Sequence, residues 1–196
     1  MASNVATDLS FDPNELREKY RIERDKRLRS DANAQYLEVK GDFSHYVDDP
    51  YIETKIERGP LGDEVDAIVI GGGFGGLIVG ARLRESGVEK IRIIEKGGDF
   101  GGTWYWNRYP GAACDVESYI YLPLCEELNF VPKEKYTHAP EILAHSRAIG
   151  EKFDLYKDAC FQTEVTGMEW EESSKRWIVT TNRNDRMRAK YVVMSN

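Results

Sequence analysis

Along the first sixty residues, apolar positions are sparse and follow no sustained period. From Val65 the pattern changes. Val65-Asp66-Ala67-Ile68-Val69-Ile70 is a short, nearly continuous apolar run, the pattern of a strand covered on both faces. Five glycines follow within six residues. Leu77 to Ser86 then reads as a helix that Gly87 can stop. Lys90 to Glu95 (KIRIIE) is a second strand, so the whole unit has the length of a parallel β–α–β crossover. Gly97 to Pro123 is rich in glycine and aromatics with no clean period, which predicts a long functional loop. Pro140 to Tyr156 is helical, with Ile142, Leu143, Ile149, Phe153 and Leu155 apolar. Three further runs, Cys160–Trp170, Trp177–Asn182 and Lys190–Met194, are joined by turn-like segments short enough for antiparallel hairpins.

Upstream, Asp12-Pro13-Asn14-Glu15 reads as a helix start, with Asp12 as cap, Pro13 in the first turn and Glu15 as a capping-box acid. That helix is predicted to reach about Arg29. Its basic and acidic residues interleave, and Leu16, Tyr20 and Leu28 form only a thin apolar stripe, as in a solvated arm. Asp48-Asp49-Pro50 and Arg58-Gly59-Pro60 are turn signals in what reads as an extended linker. The expected organisation is a helical arm and linker over residues 1–60, then an α/β, Rossmann-like domain over 61–196. Its parallel sheet carries a small antiparallel β-meander.

Composition narrows the function. Apolar residues make up 41% and charged residues 31% of the 196, a globular balance. With 27 basic against 34 acidic side chains the net charge is −7, a poor match to phosphate contacts, so no nucleic-acid partner is expected. No apolar run approaches the roughly 18 residues of a membrane span, and the N-terminus lacks the pattern of a secretory signal. Cys114, Cys125 and Cys160 are odd in number and form no C-x-x-C pair, which fits a reducing, cytoplasmic location. His45, His138 and His145 are too scattered for a metal site and are expected at the surface.

Gly71-Gly72-Gly73-Phe74-Gly75-Gly76 satisfies Gly-x-Gly-x-x-Gly at Gly71, Gly73 and Gly76. In a dinucleotide site these permit, in turn, a tight turn off the strand, close backbone approach to a pyrophosphate, and close packing of helix on strand. The pyrophosphate then meets free N–H groups at the helix start. Glu95 ends the next strand nineteen positions after Gly76. A carboxylate there accepts ribose hydroxyls and repels a 2′-phosphate, favouring the adenosine of FAD or NAD over that of NADP.

The second motif is more specific. Gly101, Gly102, Trp104, Tyr109, Pro110, Gly111 and Asp115 space out as Gly-Gly-x-Trp, four residues, aromatic-Pro-Gly, three residues, Asp. The paired glycines would let backbone lie close to a flat ligand, the aromatics would enclose a ring system, and Asp115 would fall in a partly enclosed pocket. This run resembles the flavin-side fingerprint of the Baeyer–Villiger monooxygenases, and Val116 to Tyr121 continues the likeness. The arm ahead of the first strand is similar to that of the subgroup acting on large cyclic and polycyclic ketones.

The resemblance implies that Gly71, Gly73 and Gly76 take the FAD pyrophosphate, with Phe74 and Gly75 in the same loop, and that Glu95 and Lys96 lie at its ribose. It implies that Gly102, Thr103, Trp104, Tyr105 and Trp106 line the flavin half, that Tyr121 contacts the flavin region and that the Val165 backbone meets the adenine. Asp115 is the implied catalytic residue, bonded to an arginine beyond Asn196 that stabilises negative charge on the flavin. The expected reaction uses FAD, NADPH and O₂ to insert one oxygen beside a ketone carbonyl, giving an ester or lactone. The expected chain is an N-terminal part of such an enzyme, inactive alone and needing the rest of the polypeptide for its NADPH domain. A flavin monooxygenase acting on nitrogen or sulfur, or a non-catalytic FAD-binding fragment, are the alternatives.

Overall fold

The structure, a computed structural model, describes residues 10–37 and 39–196. What the sequence suggests for residues 1–9 lies outside these. The chain forms two compact units that divide after Asp48.

In the first unit, helix α1 spans Pro13–Asp25. Asp12 caps it as expected, accepting the Asn14 N–H at 2.8 Å. The helix stops four residues before Arg29, and none of its residues is buried. Its charges pair along its own surface: Arg21 reaches both Glu18 and Asp25. Two 3₁₀ turns, Ala32–Gln35 and Gly41–Val47, follow where an extended linker was expected.

The second unit begins at Asp49. Its sheet contains β1 (Glu64–Ile70), β2 (Ile91–Ile94), β3 (Ala159–Cys160), β4 (Val165–Glu171), β5 (Arg176–Thr181) and β6 (Arg186–Met194), in the spatial order β3-β2-β1-β6-β5-β4. β1 pairs in parallel with both β2 and β6. β4, β5 and β6 form the antiparallel meander. The mixed α/β reading therefore holds, with one revision. The apolar run Cys160–Trp170 is two strands, not one. Gln162 adopts φ +51° and breaks it, so Cys160 pairs with Ile94 while Val165 pairs with Thr181.

Helix α2 (Phe74–Glu85) crosses from β1 to β2 and is capped by Ser86, one residue before Gly87, whose φ is +80°. Alternation along β1 sets the two faces. Ala67 and Val69 pack with Leu77 and Ala81 of α2, Ile91 and Ile93 of β2, and Phe100, Ile149 and Leu155. Ile68 and Ile70 pack with Val179, Met187 and Ala189 of the meander. The expected loop from Gly97 to Pro123 holds two single-turn helices, α3 (Thr103–Trp106) and α4 (Ser118–Tyr121). A further turn, α5 (Cys125–Leu128), precedes α6 (Ala139–Lys152).

Residues 49–63 are stitched to this unit rather than loosely draped. The Arg58 guanidinium grips the Asp185 carboxylate at 2.6 and 2.7 Å, and the Leu61 N–H and Thr181 hydroxyl donate to the same carboxylate. Burial works to raise the Asp185 pKa. The Arg58, Thr181 and Leu61 hydrogen bonds outweigh it and hold the group at about 2. Among the described residues, no helix is long and apolar enough to cross a membrane.

Candidate dinucleotide site

The carboxyl end of β1 delivers the chain into the first glycine loop, and the site grows from how little space that loop leaves. A Cβ on Gly76 would stand 1.9 Å from the Gly71 carbonyl oxygen, inside any atomic contact. The α2 helix can start where it does only because that atom is missing. Gly73 caps α2, its carbonyl accepting the Leu77 N–H. The start of α2 therefore points its first amides, and the positive end of its dipole, out of the loop.

Glu95, immediately after β2, is buried with 6% of its surface exposed. One carboxylate oxygen accepts the Gly72 N–H and the other the Gly97 N–H, each at 2.6 Å. A carboxylate offers about four lone-pair sites, so two are committed to bracing the glycine segments and the others stay available to hydroxyl donors. Lys96 points to solvent and pairs with Glu164 at 3.4 Å.

The second glycine segment lies directly on the first. The Gly101 N–H donates to the Gly72 carbonyl at 2.9 Å. A Cβ on Gly102 would sit 2.7 Å from the Gly73 Cα. Gly102 also holds φ +52° with ψ −120°, a conformation open to glycine alone. The two motifs, read separately in the sequence, thus form one backbone-walled cradle at the end of β1.

Beyond it, Trp104 is buried and donates its indole N–H to the Tyr121 hydroxyl at 3.0 Å. The Tyr121 ring meets Phe74 of the first loop edge-on at 5.5 Å. Phe74, Trp104 and Tyr121 therefore form one aromatic cluster beside the cradle. Thr103 and Trp106 are exposed on α3. Val165 is half-buried at the start of β4.

Three expectations need correction. Tyr105 does not present an open face for a ligand. It is 2% exposed, and its ring and hydroxyl fill the space that Cβ atoms on Gly97 and Gly98 would enter. Asp115 is not in a partly enclosed pocket. The strip around it lies antiparallel to residues 135–138, with Ala113 bridging His138 and the Cys114 N–H on the Thr137 carbonyl. Successive side chains on such a strip alternate, so Cys114 is buried and Asp115 is exposed. His145 is not a surface residue. It is 2% exposed on α6, with Nε2 on the Pro123 carbonyl at 2.7 Å, Nδ1 without a partner among the described residues, and its ring near Phe74 and Phe130. Burial pushes its pKa below the ordinary histidine value. The helical spacing of Ile142, His145, Ser146 and Ile149 was the available signal, since all four share the buried face.

A parallel strand–glycine loop–helix–strand unit, closed by a buried carboxylate, defines a dinucleotide-binding Rossmann domain. Residues 69–130 match the NAD(P)-binding Rossmann-like domain family, a span containing both glycine motifs. Over 181 residues the chain is 56% identical to pentalenolactone D synthase of Streptomyces exfoliatus, a match covering 92% of the chain and 30% of that protein. Over 178 residues it is 51% identical to a Baeyer-Villiger monooxygenase of Streptomyces coelicolor, covering 91% of the chain and 30% of the relative. Among solved structures, polycyclic ketone monooxygenase of Thermothelomyces thermophila superposes with a TM-score of 0.80 at 32% identity, over 93% of this chain and 32% of its own. Cyclohexanone monooxygenase from Rhodococcus sp. Phi1, bound to NADP⁺, gives 0.64 at 39% identity, over 68% of this chain and 26% of its own. Over more than nine tenths of its length the chain is thus similar to proteins named as Baeyer–Villiger monooxygenases. It spans about 30% of the length of the curated relatives it matches.

Proposed function

We propose that this chain is the FAD-cradling part of a flavin- and NADPH-dependent monooxygenase that inserts one atom of O₂ beside a ketone carbonyl. The observation that carries the reading is the meeting of the two glycine segments. Gly72 and Gly73 lie against Gly101 and Gly102 without side chains between them, while Glu95 braces both segments from beneath. A pyrophosphate needs backbone amides approached at close range, and this cradle supplies them at the start of α2.

The residues fit the cofactor. Gly73, Gly75 and Gly76 would hold the pyrophosphate, and Glu95 would accept ribose hydroxyls with its uncommitted lone pairs. The same buried carboxylate disfavours a 2′-phosphate, which supports FAD here rather than NADPH. Thr103, Trp104, Trp106 and Tyr121 would border the flavin half, with Tyr105 supporting them from behind and Val165 near the adenine. FAD bound there would carry electrons from the nicotinamide to O₂, one oxygen atom of which would pass to the ketone and the other leave as water. Asp115 makes no hydrogen bond or ion pair among the described residues. In this reading its open carboxylate pairs with an arginine from a later part of the polypeptide. A cytoplasmic location belongs to the same reading.

Incubating the full-length protein with FAD, NADPH, air and a panel of cyclic ketones should give products one oxygen heavier than the ketone. Oxidation confined to amines or sulfides would replace this reading with its nearest rival. Asp115→Ala should cut turnover by about a hundredfold or more, the scale of a lost electrostatic partner, with FAD still bound.

A further inference from the structure

The flavin-side loop is held from a place that no motif marks. Asp49 lies 56 positions before Tyr105, yet its Oδ2 accepts the Tyr105 hydroxyl at 2.6 Å and the Gly98 N–H at 3.0 Å. The Gly98 N–H also reaches the Tyr105 hydroxyl at 2.9 Å, closing a three-way junction. The other oxygen, Oδ1, accepts the Tyr51 N–H at 2.8 Å, which fixes the turn that aims the carboxylate. Tyr51 then adds a second hold. Its ring meets Tyr105 edge-on at 5.8 Å, its hydroxyl donates to the Trp106 carbonyl at 3.3 Å, and the Arg108 guanidinium lies 3.9 Å from its ring centroid. That guanidinium is also 4.6 Å from the Tyr105 centroid, and its Nε donates to the Tyr105 carbonyl. Asp49 and Tyr51 thus touch Gly98, Tyr105, Trp106 and Arg108, and of these Tyr105 is the buried member of α3. Thr103 and Trp106, the exposed members of α3, are left open.

We propose that Asp49 and Tyr51 are positioning residues for the flavin loop: they clamp Tyr105 and Arg108 from behind, and so fix the angle at which α3 and Gly102 meet the cofactor. The inference rests on the FAD reading above and extends it to residues outside both glycine motifs. An unclamped loop must order itself when FAD binds, and that ordering weakens binding. A clamped loop is ordered beforehand. Asp49 and Tyr105 act through one hydrogen bond, so their effects should not add.

The test is FAD titration of the full-length apoprotein with wild type, Asp49→Ala, Tyr105→Phe and the double variant, read by flavin fluorescence and visible circular dichroism. Tyr105→Phe keeps the ring among the glycines and removes only the hydroxyl, so it stays informative if Asp49→Ala does not fold. The expected result is FAD affinity about tenfold weaker in each single variant, an altered flavin dichroism band, and a double variant no weaker than the worse single one. Asp49→Glu should recover part of the affinity. A wild-type protein that binds no FAD would overturn the cofactor reading itself. Wild-type binding with unchanged affinity and dichroism in the variants would overturn the clamp alone, whatever happens to their stability.

Discussion

The two glycine segments use the same residue for different physical reasons. In Gly71–Gly76 the tightest collisions of the missing Cβ atoms would be with backbone, Gly76 with the Gly71 carbonyl and Gly71 with the Ser195 carbonyl at 2.6 Å, while Gly72 and Gly75 would meet side chains at 3.0 Å or more. In Gly97–Gly101 they would collide mainly with side chains: Gly97 and Gly98 with Tyr105, Gly101 with Leu143 at 2.6 Å and then Tyr105. Gly102 in the second segment would meet backbone alone, that of Gly73. A backbone wall is fixed by the sheet and cannot retreat. A side-chain wall can retreat or be trimmed. Glycine in the first loop therefore answers to the fold, and in the second it answers to Tyr105.

The sharpest way to break this contrast is Gly76→Ala. No rotamer change relieves a contact of 1.9 Å with a carbonyl oxygen, so α2 must shift off β1. We expect a loss of about 4 kcal/mol or more, among the largest single-residue effects, measured by urea denaturation. A loss below about 1 kcal/mol would show that the wall moves. Gly102→Ala comes next. It combines a backbone wall at 2.7 Å with a φ of +52°, and about 1–3 kcal/mol follows from the conformation alone. Unlike Gly76→Ala, its damage should concentrate in the cradle, lowering FAD affinity more than stability.

How much of this was legible in the sequence follows the same division. The first loop was, because everything it needs is local: an apolar run, glycines at fixed offsets, a helix, and Glu95 at the end of the next strand. The boundary of the sheet was less so. Cys160 and Val165 look like one strand in sequence, and only pairing with β2 on one side and β5 on the other separates them. The second motif was recognisable as a pattern but not as a geometry. Its aromatics look equivalent on paper, whereas Tyr105 faces inward to Asp49, Trp104 faces Tyr121 and Trp106 faces out. Asp49-Pro50 is a local turn signal, and the Asx-type bond to the Tyr51 N–H bears that out. Nothing local announces the partner 56 residues away.

A smaller effect sharpens the side-chain half of the comparison. At Gly98 an added Cβ would meet the Tyr105 hydroxyl at 2.7 Å and Ile52 at 3.1 Å. Gly98→Ala should cost about 1–3 kcal/mol, the range of a forced core contact. In a Tyr105→Phe background the offending oxygen is gone, and the cost should fall by at least half. Independent, additive losses would mean that Tyr105 is not the wall.

The smallest effect at neutral pH belongs to the Tyr105 phenol itself, and it appears only in alkali. Burial first, and then the Asp49 carboxylate, push its pKa from 10.0 up to about 12. A group whose pKa is higher in the folded state binds its proton more tightly there. The stability it contributes is complete below about pH 10, where an exposed tyrosine keeps its proton, and is lost as the pH rises towards 12. Tyr156, raised by burial and by Asp99, adds to the same decline. Unfolding free energy should therefore fall between pH 10 and 12 in the wild type and fall less steeply in Tyr105→Phe. The backbone-walled variant Gly76→Ala, which touches no phenol, should keep the wild-type slope from a lower starting point. Parallel slopes for wild type and Tyr105→Phe would mean that the ring is not sealed beneath Asp49, and the distinction between the two glycine segments would lose its chemical half.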